Sequence, residues 1–112
     1  MPIFISQGRY SREAVRGMIN APEDRTEAVA KLVQEAGGRL LSYYLTFGEH
    51  DWLIIAEAPD ERVMAAVAIT AAGSGGVTDM KTTIALTAAD AKAVFGRAGD
   101  LARSFRAAGQ AG

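Results

Sequence analysis

Residues 47–59, Phe47-Gly48-Glu49-His50-Asp51-Trp52-Leu53-Ile54-Ile55-Ala56-Glu57-Ala58-Pro59, decide how this chain folds. A short polar link ends at His50, and an apolar run from Asp51 to Ala58 (DWLIIAEA) follows it. An equally β-prone run, Arg39 to Thr46 (RLLSYYLT), precedes it. Two such runs joined by a short link with a glycine predict an antiparallel hairpin, Gly48 being free to take positive φ. The link also carries the chain's only histidine, beside its only tryptophan, so it raises a chemical question as well as a structural one.

Working outward, Ile3 to Tyr10 (IFISQGRY) reads as a first strand. Ser11 is placed to cap a helix whose apolar positions are Ala14, Val15, Met18 and Ile19. Ala28, Val29, Leu32, Val33 and Ala36 repeat that spacing fourteen residues on, about four helical turns. The expectation is two segments facing one surface, with a kink at Pro22 and Pro22 opening the second. Gly37-Gly38 ends this helical region. After the hairpin, Asp60 caps a helix with the stripe Val63, Met64, Val67, Ala68 and Ala71, closed by Gly73-Ser74-Gly75-Gly76. Val77 to Leu86 is a fourth strand. From Thr87, a last helix carries Ala91, Val94, Phe95, Leu101 and Phe105, and the final AAGQAG is expected to fray.

The order is therefore β-α-β-β-α-β plus a terminal helix. It predicts an α+β, ferredoxin-like fold: a four-stranded antiparallel sheet with two helices on one face, plus a C-terminal helix. Residues 1–86 form the domain, and 87–112 a helix and tail packed on the same domain or on a dimer partner. In this reading the first and fourth strands neighbour different inner strands, so Arg9 and Lys81 need not meet.

Composition bounds the function. The 112 residues suit one domain, with a formal net charge of −1, which offers no nucleic-acid footprint. Cysteine is absent, which removes thiol catalysis, disulfides and iron–sulfur ligation. No apolar run reaches the ~18 residues of a membrane span, and MPIFISQGRY lacks a signal-peptide pattern, so the expected compartment is the cytoplasm.

Alternation places apolar groups on both faces of the sheet. Leu41, Tyr43 and Leu45 are assigned to one face, and Leu40, Ser42, Tyr44 and Thr46 to the other. In the third strand Leu53 and Ile55 oppose Trp52, Ile54 and Ala56. Helices cover one face only, so the second is expected to be covered too, by the terminal helix or by a second copy stacked sheet on sheet.

The run YYLTFGEHDWLIIAEAPDE, Tyr43 to Glu61, resembles the signature of the GYD family of the dimeric α/β-barrel superfamily. Gly48 and Asp51 match the Gly-x-Tyr-Asp pattern, and His50 stands where the family has tyrosine. The helix and glycine pair before Arg39 and the Lys81-Thr82-Thr83 run are similar too, so the likeness covers Ile3 to Leu86. The resemblance implies a homodimer formed by sheet-to-sheet packing. It implies no single chemistry, because superfamily relatives include cofactor-independent monooxygenases, isomerases and haem enzymes.

The candidate chemical residues each have two readings. His50, flanked by Glu49 and Asp51, is either a proton-exchanging group or a turn histidine. Asp51 is either an acid/base or a carboxylate that fixes the turn through backbone N–H groups. Tyr44, Trp52, Arg9 and Lys81 are candidate ligand contacts, or else packing and surface residues. No metal set emerges, since one imidazole without thiolates is a poor site, and no cofactor is expected. The function read here is a small dimeric protein binding an apolar or aromatic metabolite between sheet and helices. A cofactor-independent monooxygenase or isomerase using His50 and Asp51, and a structural assembly module, are the alternatives.

Overall fold

The computed structural model describes residues 1–110, so the last two residues of the expected frayed tail lie outside the described residues. The elements are β1 (Ile3–Tyr10), α1 (Arg12–Asn20), α2 (Thr26–Ala36), β2 (Arg39–Leu45), β3 (Trp52–Glu57), α3 (Glu61–Gly73), β4 (Val77–Ala85) and α4 (Ala88–Ala102). The sheet is antiparallel with order β2-β3-β1-β4. This is the ferredoxin-like arrangement expected from the sequence.

Helix starts follow local side-chain chemistry. Ser11, Asp60 and Thr87 each accept a backbone N–H three residues on, from Ala14, Val63 and Asp90. Gly37 closes α2 at φ 107°, the left-handed region that glycine enters without steric cost. The hairpin is closed by the Thr46 N–H on the Asp51 carbonyl (2.8 Å) and the Thr46 hydroxyl on the His50 carbonyl (2.8 Å), with Gly48 at φ 125°.

Three expectations need correction. Pro22 does not open a helix. α1 stops at Asn20 and α2 starts at Thr26, because Asp24 bonds the Thr26 N–H (2.9 Å) in a turn of its own. β1 is an inner strand that pairs directly with β4, so Arg9 and Lys81 lie on adjacent strands, opposite Thr78 and Gln7. In β2 a register shift between Leu40 and Ser42 sets Leu40 opposite Ala56 and Ser42 opposite Ile55. Directly paired residues share a face, so Leu40 joins Tyr43 and Leu45 on the helix side, and Leu41 is the extra residue of a bulge. A second bulge, in β4, shifts the register between Gln7 and Arg9, and Asp79 there takes φ 51°. It turns both Val77 and Met80 toward the helices.

The core lies between sheet, α2 and α3: Phe4, Val33, Ala56, Ala58, Met64 and Val67. α4 behaves differently. All its residues but Ala91 are exposed, and Val94, Phe95, Leu101 and the following Phe105 are each more than half exposed. The molecule measures 65 × 29 × 22 Å, with a radius of gyration of 18.5 Å. A compact chain of this length would have a radius of about 13 Å. Among the described residues no helix is long and apolar enough to cross a membrane.

Phe4→Ala should destabilise the protein by about 3–5 kcal/mol in urea unfolding at fixed protein concentration, since it empties the centre of the core. Phe47→Ala, at the 93% exposed hairpin tip, should change stability by less than about 0.5 kcal/mol. Equal effects at the two positions would contradict this placement of the core.

Candidate functional site

The helix side of β1 reads Phe4, Ser6, Gly8, and its partners on β3 read Ala56, Ile54, Trp52. A large side chain faces a small one at the first pair, and at the last the indole faces a glycine. A Cβ on Gly8 would stand 2.5 Å from the Trp52 ring. Gly8 therefore makes the seat in which the indole lies.

Above this seat the core does not close. A chamber of about 80 Å³ is walled by Trp52, Ile54, Met64, Val67, Ala68 and Met80, almost entirely by apolar surface. A basin of about 520 Å³ adjoins it, framed by α1, the Ala21–Arg25 connection, α2 and the end of α3. The two share Tyr10, Val29, Leu32, Tyr43, Ala71 and Val77, so these residues form the neck between them. The basin exists because the chain leaves helix at Asn20 and resumes only at Thr26.

The polar groups of the cavity are few. Ser6 lies at the chamber floor, its hydroxyl bonded to that of Thr82 on β4, outside the cavity (2.6 Å). The Tyr10 and Tyr43 hydroxyls bond each other at the neck. Burial, and next the bond to Tyr43, push the Tyr10 phenol well above its ordinary value, so it stays protonated. Arg25 lies at the outer rim and bonds Glu23 (2.9 Å). The Trp52 indole Nε1 is buried and has no hydrogen-bond partner among the described residues.

The structure separates the residues singled out from the sequence. Trp52 alone lines the chamber. His50 is half-buried in the hairpin, and none of the ion pairs among the described residues involves it. Asp51 bonds beyond its own turn as well as within it: its Oδ2 accepts the Tyr10 N–H (2.9 Å), and its N–H donates to the Gly8 carbonyl (2.8 Å). It thereby fixes the end of β1 and the position of Tyr10. Tyr44 is exposed opposite Leu53 on the helix-free face. Lys81 shares that face, and Arg9 approaches Asp79 at 3.9 Å on exposed surface. Sequence reasoning missed Tyr10, Tyr43 and Arg25 as cavity residues. The first two are 33 positions apart, and only the strand register brings them together.

Comparison with known proteins adds the following. The sequence model described as GYD domain matches residues 4–95, past Leu86 and into α4. No curated protein matches the sequence. Among solved structures, the chain is similar to a protein from Thermus thermophilus (TM-score 0.51, 18% identity, covering 79% of this chain and 96% of that one). It is also similar to MtbAldR (0.55, 12%, 77% and 52%). A transcriptional regulator from Neisseria meningitidis, solved as its L-Met complex, is a third (0.50, 19%, 78% and 51%). The chain thus spans about half the length of the last two. At these identities the likeness concerns the fold.

The Tyr10 phenol yields a pH prediction. Its folded-state value lies above the unfolded one, so its stabilising contribution is complete below about pH 10 and is lost as pH rises toward the folded value. In a spectrophotometric alkaline titration one tyrosine should ionise only as the protein unfolds, and Tyr10→Phe should remove that step. A Tyr10→Phe titration identical in shape to wild type would refute the buried pair.

Proposed function

This chain belongs to the GYD family, and we propose that it binds a small apolar or aromatic molecule in the cavity between sheet and helices, as a homodimer. The observation that carries the binding reading is the joined chamber and basin: an apolar interior, a wider mouth and a few polar groups at fixed depths. Its combined size lies within the range of small-molecule pockets. Binding rather than conversion is the reading favoured, because among the described residues neither His50 nor Asp51 lines the chamber or the basin.

The homodimer reading rests on the other face of the sheet. Ile3, Ile5, Leu53 and Ile55 lie there, away from α2 and α3, and Tyr44 beside them is 57% exposed. α4 leaves its own apolar residues uncovered as well. Two copies stacked through these faces would bury both sheets, and each α4 would find cover on its neighbour.

Two measurements test these readings. A thermal-shift screen of aromatic and alicyclic compounds should find ligands that raise Tm by several degrees at saturation, since a ligand at 100 times its Kd adds about 2.7 kcal/mol. Ala71→Trp, which fills the neck, should abolish that shift while the protein remains folded. A screen without ligands, or a shift indifferent to Ala71→Trp, would sink the reading. Light scattering should give twice the 11.8 kDa chain mass for wild type. Ile5→Arg should give monomers, and removing residues from Thr87 onward should weaken the dimer. A monomeric wild type at high concentration would overturn the homodimer.

A further inference from the structure

We propose that the molecule held in the cavity is an amphiphilic acid: its apolar end fills the chamber, and a carboxylate at its outer end pairs with Arg25 in the basin. The proposal rests on the reading of the cavity as a binding site and names the chemical class of its occupant.

Depth sorts the chemistry of the cavity. The chamber is walled almost entirely by apolar surface, and among the described residues no charged side chain lines it. An ion at that depth would be buried without a counter-charge, which is strongly unfavourable. The inner end of the occupant is therefore apolar. The chamber alone, at about 80 Å³, is smaller than the ~300 Å³ at which ligand pockets usually begin. The occupant therefore continues through the neck into the basin of about 520 Å³.

Among the described residues, Glu23 and Arg25 are the charged residues that line the basin. The Arg25 Nη1 donates to Glu23 (2.9 Å), which uses one of five guanidinium N–H groups. The Arg25 side chain keeps 46% of its surface exposed, so the guanidinium has donors left and surface through which to use them. Exposed ion pairs of this kind hold weakly, so Glu23 does not saturate the cation. Of the two residues, it is Arg25 whose charge reaches the neck. It acts on the Tyr10 hydroxyl, opposing the rise caused by burial and by the bond to Tyr43.

The neck favours the same sign of ligand. Tyr10 and Tyr43 line both chamber and basin, and their hydroxyls bond each other. Two hydroxyls joined by one hydrogen bond leave one hydrogen to donate. The Thr70 and Ser74 hydroxyls, also in the basin, already donate to the Ala66 and Ala71 carbonyls. An acceptor head group thus meets unspent donors at the neck and at Arg25, whereas an ammonium would meet repulsion from the guanidinium.

The test uses three probes matched in shape: 4-phenylbutyrate, 4-phenylbutan-1-ol and 4-phenylbutylammonium, each also as its phenylhexyl homologue. Trp52 is the only tryptophan and lines the chamber, so its fluorescence reports occupancy. In low salt, at the better-binding chain length, the acid should bind about tenfold tighter than the alcohol, the lower end for a hydrogen bond to a charged group. The ammonium should bind weakest. Arg25→Gln should bring the acid down to the affinity of the alcohol and leave the alcohol within about twofold. Raising salt to about 0.5 M should weaken acid binding and spare the alcohol. Equal binding of acid and alcohol by wild type, or tightest binding of the ammonium, would overturn the carboxylate inference while leaving the cavity reading intact. An acid preference that survives Arg25→Gln, or one indifferent to salt, would overturn it too. Binding of none of the probes would overturn both readings. The wild-type comparison and its salt dependence decide the matter even if Arg25→Gln folds poorly.

Discussion

Three cross-strand pairs between β1 and β3 govern the molecule. Phe4 faces Ala56, Ser6 faces Ile54, and Gly8 faces Trp52. Side-chain volume falls along β1 as it rises overall along β3, so each pair fills a similar space between two closely spaced strands. At the Phe4 end the space is closed by Val33, Met64 and Val67, and the result is a dense core. At the Gly8 end the largest side chain of the chain lies across a position with none, and a chamber stays open above it. Core and cavity are thus two ends of one packing arrangement.

The sheet divides two kinds of burial. On the helix side, burial is complete within one chain at Phe4, Ala56 and Val33. On the other side, Ile3, Ile5, Leu53 and Ile55 are only half-buried by their neighbours in the sheet. Charged pairs such as Arg39–Glu57 (3.2 Å) flank them, and exposed pairs of that kind add little stability. α4 repeats the theme, with apolar residues that the rest of the chain leaves uncovered. A fold that completes one face and leaves another apolar meets water at a cost that the proposed pairing of two copies would remove.

Much of this was legible in the sequence, and the failures are instructive. Element order followed from hydrophobic period, and the caps at Ser11 and Asp60 followed from residue type, because both are local properties. The face assignment of β2 failed at Leu40 because a bulge adds a residue without any compositional mark; the bulge at Asp79 is equally silent. The site was sought at FGEHD because rare polar residues cluster there. The cavity instead draws on residues that are ordinary one by one: a tyrosine ending β1, another in β2, and small residues on α3. Their meeting depends on register, which pattern reading does not supply. Trp52 bridges the two descriptions, as it ends the polar link and also floors the chamber. Asp51 joins them in another way, by holding the backbone of Tyr10.

The chamber is left open by choice of residue rather than by the fold. A leucine at Ala68 or Ala71 would fill it, as Met64 and Val67 fill the neighbouring core. The chain instead keeps small residues on α3 above its one indole. The chamber then opens past Tyr10, Tyr43 and Ala71 into a wider basin, so apolar wall that a closed core would bury stays within reach of solvent. Covering such surface is favourable, so the proposed apolar guest would complete a packing that the chain leaves unfinished.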